Sequence, residues 1–289
     1  MQDESVNEDT YQVLKKVEVP VQSDFDSAIK PLWVKSKEKS PYSVFVATPV
    51  HSEVSIHYTQ ALLEFQKKCV EKKIAVNFEL VKSSLVTQGR NICVSNFLSQ
   101  PKFTHLLFID SDIYFNSDSI VKMLEKDKDI ISIPYPLKTI RWDKVFDKIK
   151  KGEITNENEV YKWTNTYPMK MKEKNFDVKR GVLEVHSSPT GCMLIKREVF
   201  DKLIKAYPDK NIVQKTIING EYVTKPNMWN FFDTLHDPVE KTYLGEDFSF
   251  CKLWTDIGGK CHAYISDEIS HIGEHAYTGR FADELIPAK

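Results

Sequence analysis

The chain has 289 residues, with 40 Lys and Arg against 41 Asp and Glu and a formal charge of −1. With 41% hydrophobic and 11% aromatic residues it can bury a sizeable core, which excludes a disordered, fibrous or tail-like protein. Near-neutral charge gives no global pull toward nucleic acid or an anionic membrane, and the longest apolar runs, Leu106 to Ile109 and Ile130 to Ile133, fall far short of the ~18 residues that span a bilayer. The first ten residues carry four acids and no Lys or Arg, unlike a secretory leader. Five cysteines, an odd number without any CxxC pair, read as small hydrophobes in a reducing compartment, so the expected location is cytoplasmic and no zinc cluster is expected.

Residues 1 to 40 are polar and aperiodic and read as an N-terminal extension to one α/β domain, 41–289. Val44 to Thr48 is an apolar run of the buried parallel-strand type, followed by a loop (Pro49 to Ser52) and helical spacing at Val54, Tyr58, Ala61, Leu62, Phe65 and Cys69. Ile74 to Leu80 predicts a second strand, Arg90 to Leu98 a helix, Leu106 to Ile109 a third strand, Ser117 to Glu125 a helix and Asp129 to Ile133 a strand. Strands alternating with helices predict a mostly parallel sheet covered on both faces, with ligands beyond the carboxyl ends of the strands.

From about Lys138 to Arg180 the pattern lapses into an insertion of 43 residues with 12 Lys and Arg, 7 Asp and Glu, and six aromatic residues. Strands Val182 to His186 and Thr190 to Ile195 and a helix from Arg197 to Ala206 restore it. Tyr207 to Tyr243 reads as irregular. A helix from Glu246 is stopped by Gly258 and Gly259, the strand Lys260 to Ile265 follows, and a His-rich tail closes the chain.

Asp110-Ser111-Asp112 stands at the carboxyl end of the apolar run LLFI, where the backbone leaves the sheet and carboxylates can face the crevice. Two acids two apart suit one hard cation, Mg²⁺ or Mn²⁺, completed by water and substrate phosphates; a solvated turn is the plain alternative. Glu246 and Asp247 open a helix. Either they complement its dipole, or one acts as general base toward a hydroxyl while the other orients a substrate. His271 or His275 could complete the metal shell, since imidazole suits Mn²⁺. Thr48, Pro49 and His51 after the first strand, and Arg90 and Asn91 opening the second helix, lie where phosphate, base or sugar belongs. No Walker loop or GxGxxG is present, which disfavours P-loop NTPases and dinucleotide oxidoreductases.

In this order, VFVATP, QGRN, FIDSDI, SSPTGCMLIKREVF, LGEDFSFCKLW and SHIGEH resemble the GT-A type nucleotide-sugar glycosyltransferases of the family 2 kind, especially members encoded by phages and large viruses. The resemblance covers roughly residues 42 to 280 and implies a GT-A, Rossmann-like fold and a nucleoside diphosphate sugar donor, a UDP-sugar first among them. It assigns Asp110, Ser111 and Asp112 to the donor and the Mn²⁺ or Mg²⁺ ion, and His271 to the late metal ligand. Asp247 becomes the base of an inverting transfer, Arg90 and Asn91 line the nucleotide, and the Thr190-Gly191 turn borders the donor sugar. Gly89 stands where the family more often has Ala. The implied location is the host cytoplasm for a viral member. The acceptor is a glycan, a protein, a lipid-linked sugar or a hydroxymethylated base in viral DNA, the last prompted by the basic, aromatic insertion. A non-catalytic nucleotide-sugar binding module and a metal-dependent phosphotransferase or nuclease are the alternatives.

Overall fold

The computed structural model describes residues 40–285, apart from 157–159, 161–162, 173–176, 219–220 and 240. The extension read at 1–40 lies outside the described residues except for its last position. A nine-stranded sheet organises the rest, in the order β2-β1-β3-β9-β5-β14-β8-β6, with β7 also on β8. Its parallel part is built from β1 (Ser43–Val50), β2 (Ala75–Lys82), β3 (His105–Ile109), β5 (Ile130–Ser132) and β14 (Cys261–Tyr264). Two strands run against it: β8 (Val182–Ser187) and β9 (Cys192–Lys196), the latter inserted between β3 and β5. The edge pieces β6 (Lys170–Met171) and β7 (Val178–Lys179) pair antiparallel to β8, so seven of the nine strands share one direction.

Strands buried on both faces explain the continuous apolar runs: every residue of β3 is buried. One face packs on α2 (Val86–Leu98), α5 (Arg197–Ala206) and α6 (Glu246–Asp256), with Phe97, Phe200, Phe250 and Trp254 at its centre. The other packs on α1 (Ile56–Lys72) and α3 (Ser117–Glu125) through Tyr58, Phe65, Ile120 and Leu124. Local chemistry sets the helix ends. Ser55 caps α1 by accepting from the Tyr58 N–H at 3.0 Å, and Asn116 caps α3 through the Asp118 N–H at 2.8 Å. Gly258, at φ +87°, ends α6, and a side chain at Gly259 would overlap the Trp254 indole.

Three regions differ from the sequence reading. β1 continues through Pro49 to Val50, so Thr48 and Pro49 are strand residues paired with Leu80 and Val81. The stretch 207–243, read as irregular, contains the hairpin β10 (Asn211–Ile218) and β11 (Glu221–Trp229) and the short pair β12 (Leu235–Asp237) and β13 (Thr242–Leu244). Pro226 obscured β11 in the sequence; it falls where the ladder shifts register between Ile212 and Gln214, a position that needs no N–H. The His-rich tail is a strand as well. β15 (Ile269–Ile272) lies between β16 (Ala276–Gly279) and β4 (Ile113–Phe115) in a separate three-stranded sheet.

The basic stretch 138–180 carries α4 (Trp142–Lys150) besides β6 and β7. Much of its positive charge is matched by nearby acids, in the pairs Arg141–Asp143, Lys144–Glu284, Lys148–Glu153, Lys151–Asp147, Lys172–Glu184 and Lys179–Asp177. Trp163 is buried beneath the Lys144 and Lys148 ammoniums, 5.4 and 4.3 Å from its ring centre. No described helix is long and apolar enough to cross a membrane.

Candidate active site

The site forms where β3 ends and α6 begins. Gly191, in the turn before β9, accepts a hydrogen bond from the Asp110 N–H at 3.0 Å and so fixes the backbone as it leaves the sheet. Arg90, on the first turns of α2 and only 2% exposed, joins two distant elements. Its Nη2 lies 3.0 Å and 3.1 Å from the two Asp110 carboxylate oxygens, and its Nε donates to Glu246 Oε1 at 3.2 Å. The guanidinium rests on the Phe108 ring, 5.2 Å from its centre. Burial works against its charge, but the Asp110 and Glu246 carboxylates outweigh that and raise its pKa. Burial also lifts the Asp110 carboxyl above its usual range, with Arg90 opposing.

Two buried atoms here have unused bonding capacity. Asp110 Oδ1 is near Arg90 Nη2 without the alignment of a hydrogen bond, and Arg90 Nη1 has no partner among the described residues.

Asp112 and His271 meet through the pairing of β4 with β15, which sets His271 opposite Ile113. The Ile272 N–H donates to the Asp112 carbonyl at 2.7 Å and closes the junction. His271 Nδ1 lies 3.0 Å from the Pro136 carbonyl oxygen, and Nε2 lies 3.3 Å from Asp112 Oδ2. Because a carbonyl can only accept, Nδ1 carries the proton, and the Nε2 of a neutral ring then turns a lone pair toward the carboxylate. Two acceptors at that distance require a positive charge between them, either a proton or a metal ion. The donor set therefore fits a hard divalent cation. Among the described residues no three His, Cys, Asp or Glu side chains gather into a complete cage, so such an ion would take its remaining ligands from water and phosphate. Lys138 supplies a competing charge, its Nζ 2.7 Å from Asp112 Oδ2. Burial raises the Asp112 pKa, but Lys138 and a His271 ring carrying a proton on Nε2 as well prevail and hold it at about 2.

Asp247 follows Glu246 at the start of α6. Burial, and then the adjacent Glu246 charge, lift its carboxyl to about 6, while the Phe248 N–H donates to its Oδ1 at 2.8 Å. A carboxylate poised near neutrality is matched to accepting a proton.

The other residues singled out in the sequence are placed differently. Asn91 is buried and turned to the segment before β12: it donates to Asn230 Oδ1 and the Phe232 carbonyl at 2.8 and 3.1 Å and accepts from the Phe232 N–H at 2.9 Å. Thr48 is fully buried, its hydroxyl 2.5 Å from that of Tyr58. Pro49 packs beside Gly89, where an added Cβ would stand 3.1 Å from its own. Close approach of β1 and α2 is thus what glycine permits at 89. His51 is exposed beyond β1, and the Ser111 carbonyl accepts from the Ser55 N–H at 2.9 Å.

Tyr135 and Lys138 belong to the site and were not singled out. The Tyr135 ring packs edge-on to His271 with centroids 4.9 Å apart, and its phenol sits within the fields of Asp110, Asp247 and Asp112. Burial, then Asp110, push that phenol well above its usual pKa, so it remains a hydrogen-bond donor. The available signal was position: Pro134-Tyr135-Pro136 follows the carboxyl end of β5 as Asp110 follows that of β3.

No family model matches the chain, and no curated protein matches it. It is similar to the crystal structure of A197 from STIV, at 18% identity over 80% of this chain and 86% of that one, with a TM-score of 0.42. It is also similar to a glycosyltransferase involved in the glycosylation of the major capsid of PBCV-1, at 10% identity over 59% and 68% of the two chains, with a TM-score of 0.31. These are distant likenesses of chain trace.

Proposed function

We propose that the chain is a glycosyltransferase that moves a sugar from a nucleoside diphosphate sugar to an acceptor hydroxyl with inversion. The observation that carries this reading is the meeting of Asp110, Asp112, His271 and Asp247 around Tyr135 at the carboxyl end of the sheet. Asp112 and His271, with Asp110 beside them, would hold Mn²⁺ or Mg²⁺, which when bound supplies Lewis-acid neutralisation of the diphosphate. Arg90 fixes Asp110 and Glu246 in one geometry. Tyr135, its phenol kept protonated, would be available to donate a hydrogen bond to the donor.

In the transfer, the acceptor oxygen bonds to the anomeric carbon from the face opposite the diphosphate. The bond from that carbon to the diphosphate oxygen breaks, and its electron pair leaves with the diphosphate. Asp247 takes the acceptor proton, for which its pKa of about 6 suits it. The acceptor we propose is the hydroxyl of a glycan, a protein or a lipid-linked sugar. A DNA acceptor is less favoured, because the acids paired with the basic stretch leave fewer cations for phosphates.

The test is release of nucleoside diphosphate from a panel of nucleotide sugars, without acceptor, in Mn²⁺ or Mg²⁺. Slow release from one donor, abolished by chelator and by Asp112→Ala, is expected. Donor binding in the intact protein with release unaffected by Asp112→Ala would overturn the metal assignment, and absence of both binding and release would overturn the function.

A further inference from the structure

A second concavity lies away from the carboxylate crevice, on the sheet face covered by α1 and α3. Beyond the C-terminal end of α3 no helix among the described residues covers β14 and β8 on this face, and an open pocket of about 720 Å³ remains, the size of a small-molecule site. Side chains that alternate along the strands form its floor: Glu184 and His262 are direct neighbours across β8 and β14, with Val182 two residues from Glu184. Lys128, two residues before the first position of β5, and Lys260, immediately before β14, place part of the pocket at the end of the sheet opposite Asp110.

Its lining carries six Lys and Arg side chains against three Asp and Glu, in a protein whose formal charge is −1. Two of the three acids are committed to cations among the described residues, and Glu125 is not. Glu184 is shared by Lys172 and Lys260 at 2.5 and 3.0 Å, and Asp177 is held by Lys179 at 2.9 Å. Lys126, Lys128 and Arg180 have no carboxylate partner among the described residues; Lys126 instead lies over the Tyr264 ring, 5.9 Å from its centre. In the floor, the His262 ring lies beside Glu184. Unpaired cations around a concave, partly apolar floor focus a positive potential onto one small volume.

We propose that this pocket binds the phosphate or diphosphate group of a small ligand, separately from the carboxylate crevice. Lys128 and Arg180 would pair with the phosphate oxygens, Arg180 as a two-pronged donor. The volume favours a discrete ligand of about mononucleotide size over a polymer.

The test uses inorganic pyrophosphate on the full chain by calorimetry, with chelator present so that metal-dependent binding in the crevice is silent. A labelled single-stranded oligonucleotide, followed by anisotropy, forms a second arm. The proposal expects pyrophosphate to bind, and Lys128→Gln with Arg180→Asn, asparagine being tolerant of the positive φ at 180, to weaken it at least tenfold. Lys138→Ala in the crevice should leave it unchanged. Should the double variant fold poorly, Lys126→Gln alone is expected to weaken binding severalfold. No pyrophosphate binding by the wild type, equal binding by the variants, or oligonucleotide binding through these residues without pyrophosphate binding would each overturn it. Because no turnover is read, the outcome is independent of the proposed transferase activity.

Discussion

Gly191 and Asp110 are in contact through backbone and side chain at once: the Asp110 N–H donates to the Gly191 carbonyl at 3.0 Å, and a Cβ on Gly191 would stand 2.9 Å from Asp110 Oδ2 and overlap the Tyr135 ring. Glycine is required there for proximity, since its φ is not positive. Gly191→Ala should therefore push Tyr135 or the Asp110 carboxylate aside and destabilise by ~1–3 kcal/mol, as overpacking does. Urea denaturation and nucleoside diphosphate binding check it, and a variant of wild-type stability and affinity would show that the site is looser than drawn.

Arg90 ties α2 to β3 and α6 through Asp110 and Glu246. Removing a buried partner leaves carboxylates uncompensated, so Arg90→Met should cost about 3–5 kcal/mol. Arg90→Lys should recover only part, because one ammonium cannot reproduce the fork that reaches both acids. Glu246→Gln frees one side of Arg90, so its effect should include weaker donor binding besides any loss at the acceptor. Chemical denaturation of the three variants, with donor titrations for Glu246→Gln, distinguishes this from a purely catalytic role.

The buried strands were legible because β1, β3, β5 and β9 are largely apolar on both faces, and the Asp110-Ser111-Asp112 turn was legible because it follows such a run. What brings the site together was not. Arg90 meets Glu246 across 156 positions, and His271 meets Asp112 through a four-residue strand too short and polar to show a period. Tyr135 lies between two prolines outside any helix or strand, so no periodicity marks it. Asn91 and Thr48 are bonded to neighbouring protein groups, as polar residues near the ends of buried elements often are.

Lys138 occupies the Asp112 oxygen that a metal ion would use. Lys138→Ala should tighten Mn²⁺ binding severalfold, measured by paramagnetic resonance or by the metal-dependent rise in melting temperature with nucleoside diphosphate. Asp112→Ala and His271→Ala should abolish that rise. Unchanged Mn²⁺ affinity in Lys138→Ala would mean that the ammonium and the ion do not share the carboxylate.

Asp247 links stability to activity with opposite signs. Its carboxyl is raised from 3.8 to about 6 by burial and by Glu246, so ionising it costs more in the folded protein than in the unfolded chain. Below pH 4 both states hold the proton and the stabilising difference is fully present; it is lost as pH rises through about 6. Asp247→Asn keeps the shape and never ionises, so at pH 7 it should be more stable than the wild type by ~1–3 kcal/mol. As proton acceptor, the residue must be ionised to work. Transfer by the wild type should therefore rise about tenfold per pH unit below 6 and level off above. In Asp247→Asn it should fall by ~10²–10⁴, in kcat more than in donor KM, and lose that pH dependence. Denaturation and turnover measured from pH 4.5 to 8 on both proteins decide the assignment: a variant that is more stable yet nearly inactive supports Asp247 as the base, while near-normal turnover with the same pH profile removes it from that role.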